Sequence, residues 1–214
     1  MSDDGTRRVW SLALDGPDPD VIALAVDWLR RGRLVAFPTD TFYGLAVDPA
    51  SDEAVARLFR WKGRSPRAAL PLVASSAAQV EAWGGPMSAD TRALARRHWP
   101  GPLSLVIDAP AAVVTAVHGG LATVAIRVPA HDVARALAEA WGAPVTATSA
   151  NRSGAPPAVT AGDLADAGPE LLVLDAGPAA GGAPSTIVDA RSRPVRLVRE
   201  GATPWERVLE SLHG

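Results

Sequence analysis

The sequence predicts an α/β domain, and three observations carry that reading. Helix-periodic segments alternate with short apolar runs along the chain; Pro, Gly, Ser, Thr and Asp punctuate the junctions; and 48% of the 214 residues are hydrophobic, enough for a core of ordinary size at this length. No internal repeat and no linker divides the chain, so residues 1–214 are read as one domain, with a core from about 20 to 201 and a short terminal helix at 203–212.

The elements follow in order. Asp20 caps a first helix whose Val21, Leu24, Ala25, Trp28 and Leu29 recur at helical spacing, with Gly32 as the stop. Leu34–Phe37 is a short buried strand closed by Pro38, and PTDTFYGLAVD connects it to a helix opened by Ser51, Asp52 and Glu53 that turns Val55, Leu58 and Phe59 inward. Helices are predicted over 76–83 and 88–98, after which HWPG turns the chain into the strand LSLVIDA. The second half reads the same way: strand TVAIRV, helix Asp132–Trp141, strand VTATSA, a helix near Thr160, then strands LLVLDA, STIVDA and VRLVR. Thr203, Pro204 and Glu206 spell a capping box with proline at the first helical position. GPAAGGAP, residues 177–184, reads as a flexible loop between two strands.

Composition removes several classes of function. A formal charge of −2 with 21% charged residues argues against a generalised grip on nucleic acid and leaves room only for a local contact. With no cysteine there are no disulfides, thiolate metal sites or cysteine nucleophile. His98, His118, His131 and His213 show no metal-ligand spacing. The segment MSDDGTRRVW lacks the apolar run of a signal peptide, and no stretch approaches the roughly 18 apolar residues of a membrane span, so a cytoplasmic protein without membrane contact is expected.

Three polar constellations sit where strands end. Thr39, Asp40, Thr41, Tyr43 and Gly44 follow the first strand; the hydroxyls suit a polar ligand, or they satisfy backbone groups of a turn. Arg57, Arg60, Lys62, Arg64 and Arg67 place five cations in eleven residues after a helix. Lys62 and Arg64 suit phosphate, although cations at a helix carboxyl terminus are favourable in themselves. ATSANRSG, residues 147–154, offers Thr148, Ser149, Asn151 and Ser153 in a loop fit to cradle phosphate or carboxylate. Arg127 lies inside an apolar strand, where burial requires an anion, either a structural carboxylate or one from a substrate. There is no glycine-rich phosphate loop ending in GKS or GKT, no GxGxxG and no Ser-His-acid set.

PTDTFYGL, KGR, HWPGPLS, TVAIRVP, TATSANRSG, STIVD and VRLVREG resemble, in order and spacing, the signature segments of the YrdC/Sua5 family, from about Asp20 to Gly201. The resemblance implies a twisted, open mixed sheet with flanking helices and a concave substrate-binding face. It also implies synthesis of threonylcarbamoyl-adenylate and pyrophosphate from L-threonine, bicarbonate and ATP, a nucleotidyl transfer toward the t6A modification of tRNA. By the same carry-over Thr41, Arg127 and Ser185 contact threonine, with Arg127 forking its carboxylate, while Lys62, Arg64, Thr123, Ser149, Asn151 and Arg199 line the ATP side. No side chain is implied as a nucleophile, and Mg2+ is expected to ride mainly on the ATP phosphates. Partners implied are the threonylcarbamoyl-transferase proteins downstream and a local RNA contact.

The chain departs from the family pattern at Ser65, Ala68 and Ala69 and in LPLVA, where relatives carry more polar residues and a histidine, and Ser104 replaces a commoner threonine. The alternative readings are a diverged nucleotide- or RNA-binding relative without synthase activity, and a carbamoyl-transfer relative like the homologous domain of hydrogenase-maturation proteins.

Overall fold

Strands from distant parts of the chain assemble into two mixed sheets in the computed structural model, which describes residues 9–11, 17–64 and 69–213. In chain order the elements are β1 Val9–Ser11, α1 Pro19–Arg30, β2 Leu34–Phe37, β3 Gly44–Ala46, α2 Asp52–Lys62, β4 Leu72–Val73, α3 Ala77–Gly84, α4 Ala89–His98 and β5 Leu103–Asp108. There follow α5 Thr115–His118, β6 Thr123–Arg127, α6 Asp132–Trp141, β7 Val145–Thr146, β8 Thr148–Ser149, a 3-10 turn Ala161–Leu164, β9 Leu171–Asp175, β10 Thr186–Asp189, β11 Arg196–Arg199 and α7 Trp205–His213. The first sheet runs β1-β9-β2-β3-β8 and the second β11-β10-β5-β6-β4-β7. None of the described helices is long and apolar enough to cross a membrane.

Local chemistry accounts for most boundaries. Ser51, Ser76 and Ser88 each accept a backbone N–H at the start of α2, α3 and α4. α1 differs from the expectation: Asp18, not Asp20, is the cap, receiving the amides of Asp20 and Val21. Pro19 can occupy the first helical position because it has no N–H to leave unsatisfied. The predicted Thr203–Glu206 capping box gives way to another arrangement. The Thr203 amide and carbonyl are both bonded to the Thr186 hydroxyl, and Glu200 receives the Trp205 amide at 2.8 Å. The helix expected near Thr160 is the 3-10 turn, capped by a reciprocal Thr160–Asp163 pair.

β2 shows how both faces of a sheet are filled. Its four residues are fully buried; Leu34 and Ala36 belong to one core with α2, while Val35 and Phe37 belong to a second core with α1 and α6, the division that a period of two imposes on a strand covered on both sides.

VTATSA, read as one strand, is two. β7 pairs with β4 in the second sheet and β8 with β3 in the first. At this junction Thr146 is fully buried, donating its hydroxyl to Leu45 O and accepting from Val47 N, both at 2.9 Å. Its side chain thereby supplies sheet-like bonds where the ladder changes partner. The seam puts the ends of β2, β6, β8 and β10 near one another.

Candidate active site

The ends of β2, β6, β8, β10 and β11 and the carboxyl end of α2 surround a cleft of about 210 Å3. Gly44 opens β3 beneath it. A Cβ there would stand 3.1 Å from Phe37 Cζ and 3.6 Å from Ala147 Cα, so glycine permits the close approach of β3 to the seam.

Arg127, at the end of β6, is 6% exposed. Its Nη1 donates to Asp40 Oδ1 at 2.5 Å, and its Nη2 to Thr39 and Thr41 Oγ1 at 3.1 and 3.0 Å. Burial holds its pKa below the usual guanidinium range against the opposing pull of Asp40. The anion that the sequence required is therefore structural: both terminal nitrogens have partners, and a free bidentate fork is not what the cleft presents. Thr39 donates its own hydrogen to Phe42 O at 2.6 Å, which leaves it only acceptor capacity toward Arg127 and toward the Thr41 hydroxyl 3.2 Å away. Asp40 stands in the first polar constellation of the sequence, but its pairing with Arg127 was missed; that position beside a buried arginine comes from β6, far along the chain, and had no local signal.

Of the other predicted residues, Arg64, Ser149, Ser185 and Arg199 line the same cleft. Ser185 Oγ lies 2.9 Å from buried Ser104 Oγ, so the residue at the family's threonine position keeps a working hydroxyl. Arg199 Nη2 donates to Ser185 O at 2.7 Å, and burial lowers its pKa. Arg64 has no side-chain hydrogen bond or ion pair among the described residues. Arg67 and Ala68 lie outside the described residues, while Ala69 lines the cleft.

Three predicted residues are placed differently. Lys62 is 3% exposed, and its ammonium donates to Ser149 O at 2.6 Å, Asn151 O at 3.0 Å and Asn151 Oδ1 at 3.3 Å. It clamps the loop after β8 from behind, because three acceptors are the cheapest company for a buried cation. Burial and the neighbouring Arg64 push its pKa down to about 8. Asn151 is likewise used within the loop, accepting from Ser149 Oγ and donating to Ala155 O. Thr123 starts β6 opposite Asp108, about 13 Å along the strand from Arg127, and does not line this cleft.

The segment 177–184, predicted as a flexible loop, is pinned to the site. Tyr43 Oη donates to Gly177 O and Gly181 N to Thr41 O, each at 2.7 Å, and Ala179 N donates to Val159 O at 2.8 Å. Small residues allow this close packing, Ala179 being buried. Burial and Asp175 raise the Tyr43 pKa, keeping the hydroxyl protonated as a donor.

Comparison with known proteins places this geometry in context. The family model Sua5/YciO/YrdC, described as telomere recombination, matches residues 27–201. A threonylcarbamoyl-AMP synthase of Pyrococcus abyssi is 38% identical over 87% of the chain, which spans 56% of that relative's length. One of Chromohalobacter salexigens is 40% identical over 81% of the chain and 94% of its own. Among solved structures, P. abyssi Sua5 complexed with L-threonine superposes with a TM-score of 0.86 at 34% identity, covering 95% of this chain and 60% of that one. YciO of E. coli shares the fold, with a TM-score of 0.82 at 22% identity, over 93% of this chain and 98% of its own. With the matched segment running from α1 through β11 and taking in every strand that walls the cleft, the chain belongs to the Sua5/YciO/YrdC family.

Proposed function

We propose that the chain is a threonylcarbamoyl-AMP synthase, joining L-threonine, bicarbonate and ATP with release of pyrophosphate. The observation that carries the reading is the convergence of three guanidiniums, Arg64, Arg127 and Arg199, with the hydroxyls of Thr41, Ser149 and Ser185 in one cleft. Such a surface suits one substrate with a carboxylate and one with phosphates. Relatives that bear this activity in their names support it.

In this proposal the threonine carboxylate is held at the Arg127 end, displacing or joining Asp40 on the guanidinium, with Thr41 and Ser185 offering hydroxyls. The amine takes up the carbon of bicarbonate with loss of water, giving a carbamate. A carbamate oxygen then bonds to the α-phosphorus of ATP as the bond from that phosphorus to the bridging oxygen breaks, and pyrophosphate leaves. Arg64 and Arg199 stabilise the charge that develops on the phosphates, while Lys62 acts by holding the 149–151 loop in shape. The described residues contain no group of three or more His, Asp or Glu side chains placed to hold a metal. A magnesium ion is thus proposed to enter on the triphosphate, where it offsets phosphate charge. The proposed product then passes to proteins that transfer the threonylcarbamoyl group to tRNA in the cytoplasm, and a local RNA contact belongs to the same proposal.

The test is pyrophosphate release by purified protein given ATP, magnesium, bicarbonate and threonine. Release that stops when either threonine or bicarbonate is omitted is expected. Its absence in folded protein would favour the reading as a diverged binding relative.

A further inference from the structure

A second and larger cleft, of about 510 Å3, lies between the carboxyl end of α4 and the first turns of α7. Its basic side chains are Arg97, His98 and Arg207. It stands back to back with the candidate active site: Pro102 and Thr203 line it, and both are bonded to Thr186, the neighbour of Ser185.

Both guanidiniums are exposed and have no hydrogen bond or ion pair among the described residues. Arg97 is accounted for by its place in the last turn of α4, where the helix dipole favours a cation. Arg207 is not. It is the third residue of α7, at the end of the dipole that disfavours positive charge, and it shares the cleft with a second guanidinium, Arg97. Glu210, the carboxylate on the lining, forms an ion pair with neither arginine. Ser211 Oγ donates to Arg207 O at 2.8 Å, so toward His98 Nε2, 2.9 Å away, it accepts, which fixes the hydrogen on that nitrogen. Burial, then Arg207 and Arg97, hold the His98 pKa below its ordinary value. Two guanidiniums lining one cleft, with no ion pair to either among the described residues, are what an anion site requires.

We infer that this cleft binds a phosphate group between Arg97 and Arg207, with space beside it for the molecule that carries the phosphate. The planar guanidinium fork matches phosphate oxygens, and the cleft is larger than a bare phosphate needs. The site is independent of the chemistry proposed for the first cleft.

His98 reports on it. In an NMR titration of the full chain, inorganic phosphate, AMP and a short single-stranded RNA are added separately while the His98 ring resonances, assigned by their loss in His98→Gln, are followed against pH. Binding between the arginines should raise the His98 pKa by about one unit. An Arg97→Gln/Arg207→Gln variant should keep its thermal midpoint, since neither guanidinium has a partner, and lose at least about tenfold in affinity at this reporter. A response to phosphate or AMP identifies a small phosphorylated ligand, and a response to RNA alone identifies a backbone phosphodiester. An unmoved His98 with all three probes, or an equal shift in the double variant, overturns the inference.

Discussion

Replacing Asp40 with Asn tests whether the cleft is organised around a buried ion pair. Arg127 and Asp40 side chains are 8% and 11% exposed, so the pair is little screened by solvent. Asn keeps an acceptor for Nη1 but removes the charge, which leaves the guanidinium with three neutral partners. The difference between a charged and a neutral hydrogen bond, together with the cost of an uncompensated buried cation, amounts to about 2–3 kcal/mol. For a chain of this size that is a fall in thermal midpoint of about 5–10 °C. Arg127→Met alone should cost a similar amount through orphaned Asp40, whereas Asp40→Asn with Arg127→Met should cost less than the sum by at least about 2 kcal/mol. If Asp40 shares Arg127 with the substrate carboxylate, Asp40→Asn should also bind L-threonine more tightly, and added threonine should return part of the lost stability. Urea unfolding of the four proteins, with and without threonine, reads both effects. Additive single variants, or an Asp40→Asn protein as stable as the parent, would refute the pairing argument.

Other expectations concern single residues. Arg64→Ala should weaken ATP at least about tenfold by calorimetry, about 1.4 kcal/mol, with the urea midpoint unchanged, because the side chain has no partner to lose among the described residues. Thr146→Val deletes a buried hydroxyl that serves two backbone groups and should cost about 1–3 kcal/mol in urea unfolding. Lys62 carries a pH signature. Its folded value of about 8 lies below the ordinary lysine value, so between pH 8 and about 10.5 the unfolded chain binds a proton that the folded chain has released, and this group's contribution to stability rises with pH across that window. Unfolding of the parent and of Lys62→Met from pH 7 to 10 should show a more positive slope in the parent than in the variant. ATP affinity of the parent should meanwhile decline above pH 8 as the loop clamp loses its charge.

Elements signalled by local chemistry were legible: the helix opened by Ser51, the apolar run Leu34–Phe37, and the helix Asp132–Trp141. So was the requirement that Arg127 meet an anion, since that follows from burial alone. What escaped depends on contacts between distant segments. VTATSA reads as one strand because side-chain alternation does not record which sheet a residue joins; the change of partner at Ala147 is fixed by Pro71 O, which receives the Ala147 amide at 2.8 Å. The intramolecular partners of Lys62 were hidden in the same way. A cation cluster after a helix suggests phosphate, but nothing near Lys62 in sequence announces that carbonyls 87 and 89 residues away occupy its ammonium. Likewise GPAAGGAP has the composition of a loose loop, and only Tyr43 and Thr41 across the cleft hold it. The polar segments nonetheless converge on one cleft, for a physical reason. Asp40 follows a strand of the first sheet and Arg127 ends a strand of the second. One ion pair therefore links the two sheets at the cleft, so Asp40 and Arg127 contribute to stability at the place where the candidate chemistry is proposed.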